Sequence, residues 1–224
     1  MNYYWRFLSH KISANHFAYG DGKRAKLESL NSIDGGDTSN NSFLSFPVHY
    51  STHLDFPFHF DNNGLKGDDY DPDYFISEKV QFININNEPI LNRLITISDF
   101  SNIDLLIDTE ILIIKTGMGN YINKKEYWND NPGFSSKLAK YFKGKMPNLR
   151  FVGFDSISLT GRKFRSEGKE AHRSFLIKEN ILILEDMNLS VLKKDDRIKK
   201  IIISPLLFVN MDGSPATVFA KING

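Results

Sequence analysis

The chain contains no cysteine, which excludes disulfides, thiolate nucleophiles and every cysteine-based zinc site. Any bound metal must be held by histidine, aspartate and glutamate. Long hydrophobic runs are also missing. The longest, "ILIIK" and "IIISPLLFV", fall far short of the roughly 20 apolar residues that cross a bilayer. The N-terminal "MNYYWRFLSHK" has no apolar stretch of the kind a secretory leader carries, so the expected location is the cytoplasm. Nor is there an excess of charge of one sign: 28 basic residues face 27 acidic ones. Neither nucleic acid nor membrane is therefore expected as a partner. The short runs "GKRAK" and "KKDDRIKK" read as solvated surface, the second with its own acids inside it.

What remains is an ordinary globular composition, 41% apolar and 25% charged over 224 residues, enough for a sizeable core. No internal repeat or low-complexity linker divides the chain, so one domain over residues 1–224 is expected. Strand signals dominate: "KVQFINI", "EILIIKTG", "LRFVGFD", "NILILE", "KKIIISPLLFV" and "PATVFAKI" are rich in apolar and β-branched residues. In "KVQFINI" the apolar face switches partway, which predicts burial on both sides or a bulge. Phe134, Leu138, Tyr141 and Phe142 follow a helical spacing, with Asn131 as N-cap and Pro132 in the first turn. Shorter helices are expected at "EAHRSFL" and "MNLSVLKK". The fold class read from this pattern is α+β, or mixed α/β.

The densest chemistry lies in "HYSTHLDFPFH", His49 to His59, which holds three of the six histidines and Asp55. His49, His53, Asp55 and His59 would share one face of an ideal strand. In a straight strand, however, His49 and His53 would stand roughly 13 Å apart, too far for bonds of about 2.0–2.1 Å to one ion. A helix would join the two histidines but turn Asp55 away, and Pro57 would disrupt its continuation. A shared metal requires a bend at "YST". Imidazoles and a carboxylate set among Phe46, Phe56, Phe58 and Phe60 are costly to bury unless paired or ligated.

This stretch resembles the HxGTHxDxPxH signature of the cyclase superfamily, which includes bacterial kynurenine formamidases and isatin hydrolases. Further blocks follow in family order: "LSHKI", "IIKTGMG", "VGFDSISL", "AHRSFLIKENILILEDMNL" and "GSPATVFAKI". The resemblance implies a kynurenine-formamidase-like swivelling β/β/α domain. It also implies two zinc or manganese ions, the first on His49, His53 and Asp55. The second lies on Asp55, His172 and Glu185, with Asp55 bridging. By the same resemblance His59 is the general acid/base, Tyr19 contacts a small-molecule substrate, and homodimers or homotetramers form. The implied reaction is hydrolysis of a C–N bond in a small amide, formamide or lactam by metal-activated hydroxide. A cyclase or dehydratase using the same ions, and a non-catalytic ligand-binding member, are the alternatives. Asp155 and Ser158 either support the site or cap a strand end. His10 is expected as a hydrogen-bonding core residue and His16 at the surface.

Three features depart from the family pattern. Ser51 replaces the signature glycine where the bend must fall. Phe56 replaces a small residue beside Asp55 and is expected to narrow the pocket. One additional residue lies between His172 and Glu185, expected as a loop residue near Glu179.

Overall fold

The computed structural model describes residues 3–16, 22–86 and 88–223. Its strands are β1 (Tyr3–Phe7), β2 (Lys26–Asn31), β3 (Asn41–Ser45), β4 (His53–Asp55), β5 (Ile76–Ser77), β6 (Val80–Asn84), β7 (Leu94–Ile95), β8 (Ile111–Lys115), β9 (Gly133–Phe134), β10 (Phe151–Phe154), β11 (Leu182–Glu185), β12 (Ile198–Pro205) and β13 (Gly213–Asn223). The helices are α1 (Lys125–Asn129), α2 (Lys137–Lys145) and α3 (Arg165–Arg173). This is the mixed α/β fold expected from the sequence.

The main sheet runs β5-β12-β13-β4-β11-β10-β8-β6, with β1 also paired to β13. Its half from β11 to β6 is parallel, and β8, β10 and β11 carry fully buried apolar runs, as strands covered on both faces must. The other half is antiparallel, and β4 lies at the junction, antiparallel to both β11 and β13. β6 pairs with β8 without a register shift, so its changing apolar face reflects partial burial on both sides rather than a bulge. A polar segment, residues 32–40, connects β2 and β3, an exposed two-stranded ribbon.

Two helix expectations need correction. α2 begins at Lys137 rather than near Asn131. The amides of Gly133 and Ser135 are taken by Arg93 and Ile95 carbonyls, so tertiary pairing of β9 with β7 overrides the local signal. Asn131 instead donates to the Thr160 carbonyl, and Glu167 receives the Ser136 N–H at 2.7 Å. "MNLSVLKK" is not helical. Met187 bridges to Ser9 and the Asn188 N–H reaches the Leu8 carbonyl, an extended path that holds the N-terminal segment. Near Glu179, where the additional residue is expected, α3 continues as a π turn over Ser174–Lys178 rather than as a loop, closed by Glu179 N–H to the Ser174 carbonyl at 3.1 Å. Such turns take in one extra residue without ending the helix.

Candidate metal centre

Ser51 has φ 59°, so the chain turns sharply between His49 and His53. Their ring centroids stand 5.2 Å apart, not the strand-like separation that a straight path would impose. The left-handed conformation explains a preference for glycine at this position. The Ser51 carbonyl accepts His53 Nδ1–H at 2.8 Å, which leaves His53 Nε2 free to face inward.

Beyond the bend, β4 alternates. His53 and Asp55 point into a cavity while Leu54 packs in the core. Register places Glu185 of β11 opposite His53, and Gly213 of β13 opposite Asp55. His172 arrives from α3, where it donates Nδ1–H to the Gly168 carbonyl at 2.8 Å. Both tautomers are thereby fixed with Nε2 toward the carboxylates, the usual state of a metal-ligating imidazole.

Asp55 is the hub. Its Oδ1 lies 2.8 Å from His49 Nδ1 and 3.5 Å from His53 Nε2, and its Oδ2 lies 3.4 Å from His172 Nε2. Glu185 closes the set, with Oε1 3.4 Å from His172 Nε2 and Oε2 3.5 Å from His53 Nε2. Donors sharing one tetrahedral ion through bonds of about 2.1 Å stand about 3.4 Å apart. The spacing among His53, His172, Asp55 and Glu185, the two tautomers and the all-imidazole-and-carboxylate chemistry therefore fit a divalent ion such as zinc or manganese, while His49 stands at hydrogen-bond distance from Asp55. By mutual proximity, His53, Asp55 and Glu185 form one triple and His49, Asp55 and His59 another. Asp55 belongs to both, although the grouping differs from the pairing the resemblance implies.

The surrounding hydrogen bonds hold these groups in place. Glu185 Oε1 accepts the Leu159 N–H at 2.7 Å and the Ser158 hydroxyl at 3.3 Å. Asp155 acts elsewhere, receiving the Thr116 and Gly119 amides at the end of β8. Of the two residues considered together in the sequence, Ser158 supports the site and Asp155 organises the strand ends. Phe56 is a correction. It is fully buried and stacks on Tyr70 at 5.7 Å, away from the described residues that line the cavity. Phe60 instead lies over His172, ring centroids 4.8 Å apart. Tyr19 lies outside the described residues. His10 sits behind the centre with Nε2 3.9 Å from Asp186 Oδ1, and burial pushes its pKa down to about 4. Half-buried His16 approaches it at 6.0 Å between ring centroids.

Sequence reasoning missed Asp212. Its Oδ2 receives His49 Nε2 at 2.9 Å and His59 Nδ1 at 3.0 Å. Its backbone carbonyl accepts the Phe56 N–H at 3.0 Å, which ties it to the end of β4. The available signal was its place directly before the "GSP" block. Asp186, beside Glu185, was also missed. It is buried against the Tyr127 hydroxyl, and burial raises its pKa to about 6.

These groups share protons strongly. Burial disfavours charge on His49, yet hydrogen bonds to Asp212 and Asp55 outweigh it and raise its pKa to about 10. His172 follows the same balance, with Asp55 and Glu185 raising it to about 10. Burial works against ionisation of Asp55, but His172 and His49 hold its carboxyl well below the ordinary range. Hydrogen bonds from His49 and His59 likewise depress Asp212. The centre is a buried set of carboxylates whose charge must be met by cations.

Over residues 7–160 the sequence matches the model of the Cyclase family, and the chain belongs to that family. A kynurenine formamidase from Geobacillus thermodenitrificans is 31% identical over 175 residues, covering 77% of this chain and 75% of that protein. One from Bacillus cereus is 29% identical over 172 residues, covering 77% and 75%. Isatin hydrolase A from Labrenzia aggregata shares the fold, with a TM-score of 0.76 at 19% identity over 98% of this chain and 93% of that one. No helix among the described residues is long and apolar enough to cross a membrane.

Proposed function

We propose that the chain is a metal-dependent hydrolase cleaving a C–N bond in a small amide, formamide or lactam. The observation that carries this reading is Asp55, 1% exposed, with imidazoles against both of its oxygens. His49, His53 and Asp55 would hold one ion, and Asp55, His172 and Glu185 the other, as zinc or manganese. Such ions, when bound, supply Lewis acidity toward a carbonyl and an activated water.

The protein's own groups do the rest. Asp212 accepts from His59 Nδ1, so Nε2 is the nitrogen left to move a proton to the departing amine. His59 is 30% exposed on its side chain, against 4–6% for His53, His172 and Glu185, which suits a group that meets substrate. Tyr50, Phe60 and Ile157 contribute apolar wall to a cavity of about 470 Å³, room for a substituted aromatic ring. The kynurenine formamidase relatives support the same reaction class.

Turnover of a panel of N-formyl aryl amides and cyclic amides by metal-loaded protein tests the reading. His59→Ala is expected to lower kcat by about 10²–10⁴-fold, and no turnover of any panel member would contradict the reading. Its wider terms are a cytoplasmic enzyme of a small molecule, with no nucleic-acid or membrane partner, acting as a homodimer or homotetramer. Exposed Trp5 and Phe7 on β1, together with Leu206–Val209 beyond β12, support self-association. Molar mass in solution checks it.

A further inference from the structure

Asp186 follows Glu185 directly and has φ 55°, a left-handed conformation that strains any residue with a side chain and that aspartate and asparagine tolerate best. Such strain persists only where the surroundings over-determine it. Around Asp186 they do. Its N–H reaches the Ser156 carbonyl at 3.0 Å. Its carbonyl accepts the Thr52 hydroxyl at 2.5 Å, and that hydroxyl oxygen receives the His10 N–H at 2.9 Å. Its buried side chain accepts the Tyr127 hydroxyl on Oδ1. Thr52 directly precedes His53, so Asp186 ties together the backbone segments that present two candidate metal ligands, Glu185 and His53.

The side-chain end of this arrangement depends on one donor. His10 Nε2 stands 3.9 Å from the same Asp186 oxygen, beyond hydrogen-bond reach. Tyr127, on α1, is buried against Met118, Trp128 and Ile157, which fixes its ring. Its hydroxyl meets Asp186 and, at 3.5 Å, the Asp155 carbonyl, and none of the candidate ligands among the described residues. Without that O–H a buried carboxylate would be left unsatisfied. Asp186 lines the cavity, so its side chain would turn inward and the strained backbone behind Glu185 would relax.

We infer that Tyr127 is a positioning residue for the metal centre, which acts through Asp186 to fix how Glu185 and, by way of Thr52, His53 meet an ion. The inference rests on the metal-centre part of the hydrolase reading. The role of Tyr127 rests on the contacts of Asp186.

The test measures zinc affinity by chelator competition and the visible absorption of cobalt-loaded protein, neither of which needs turnover. Y127F removes the hydroxyl and keeps the ring. D186G removes the carboxylate and relieves the backbone strain, whereas D186N keeps the Oδ1 acceptor. Y127F and D186G are each expected to weaken zinc binding about tenfold, the low end of the effect of losing a group behind a ligand, and to change the cobalt spectrum. Y127F/D186G should bind no more weakly than the weaker single variant, because both substitutions remove one contact. D186N should stay within about threefold of the parent. Melts of the metal-free proteins separate positioning from packing. A Y127F protein that melts lower yet keeps the parent's zinc affinity and cobalt spectrum would overturn the inference. So would additive losses in the double variant, or a D186N protein as weak as Y127F. Each of these outcomes leaves the metal-centre reading intact. A parent that binds neither zinc nor cobalt would overturn both.

Discussion

His59 Nδ1 lies 3.0 Å from Asp212 Oδ2, and this one contact decides which nitrogen of the imidazole faces the cavity. The same oxygen receives His49 Nε2 at 2.9 Å, so Asp212 orients both a candidate metal ligand and the candidate proton carrier. Asp212→Asn is expected to weaken metal affinity by about 10–100-fold, the usual effect of losing a carboxylate behind a ligating histidine. It should also lower kcat more than it changes KM and shift the pH profile of kcat. Asp212→Glu should recover part of both. Unchanged metal affinity and an unchanged pH profile in Asp212→Asn would mean that the contact positions nothing.

Gly213 stands opposite Asp55 in the sheet, and a Cβ placed there would meet His49 Cε1 at 2.3 Å. No real contact is that short, so Gly213→Ala must displace the imidazole or the strand. The expected result is loss of metal from the centre, with destabilisation of about 1–3 kcal/mol from overpacking. Metal titration beside thermal unfolding checks it, and wild-type affinity in the variant would contradict the packing described.

Ser51 occupies φ 59° with a buried hydroxyl that has no hydrogen-bond partner among the described residues. Ser51→Gly removes the left-handed strain and should stabilise the protein by about 1 kcal/mol, read from denaturant midpoints. A clear loss of stability would show that the hydroxyl contributes more than the strain costs.

Protons and metal ions compete for the centre. His49 and His172 have folded pKa values of about 10 against 6.5 when unperturbed. In metal-free protein their contribution to stability is complete below about pH 6.5 and is lost as pH rises through about 10. Metal-free protein should therefore melt at a lower temperature near pH 10 than near pH 7. Metal affinity should move the other way and rise with pH, because binding displaces protons from the ligands. Parallel trends in the two measurements would contradict this coupling.

Much of the site was legible because its ligands are concentrated. His49, His53, Asp55 and His59 come from one segment, and the 3.3 Å strand rise alone demanded the bend that Ser51 makes. The buried strands were legible from their apolar runs. Asp212 was not, because its partners His59 and His49 lie 153 and 163 residues away, and a lone aspartate before a glycine has the signature of a turn. The direction of Phe56 was misread for a similar reason. It follows Asp55 in sequence, but the strand pleat and the Tyr70 ring turn it into the core. The start of α2 was hidden by pairing between Gly133–Phe134 and Leu94–Ile95, a tertiary contact that no local pattern announces.

Metal content per chain, measured by mass spectrometry on natively purified protein beside Asp55→Ala, tests the proposed two-ion centre most directly. With Asp55 shared between two ions, the parent should carry close to two zinc or manganese ions and the variant should lose both. A parent that takes up no metal even after loading, or a variant that retains the parent's content, would contradict a centre built on Asp55.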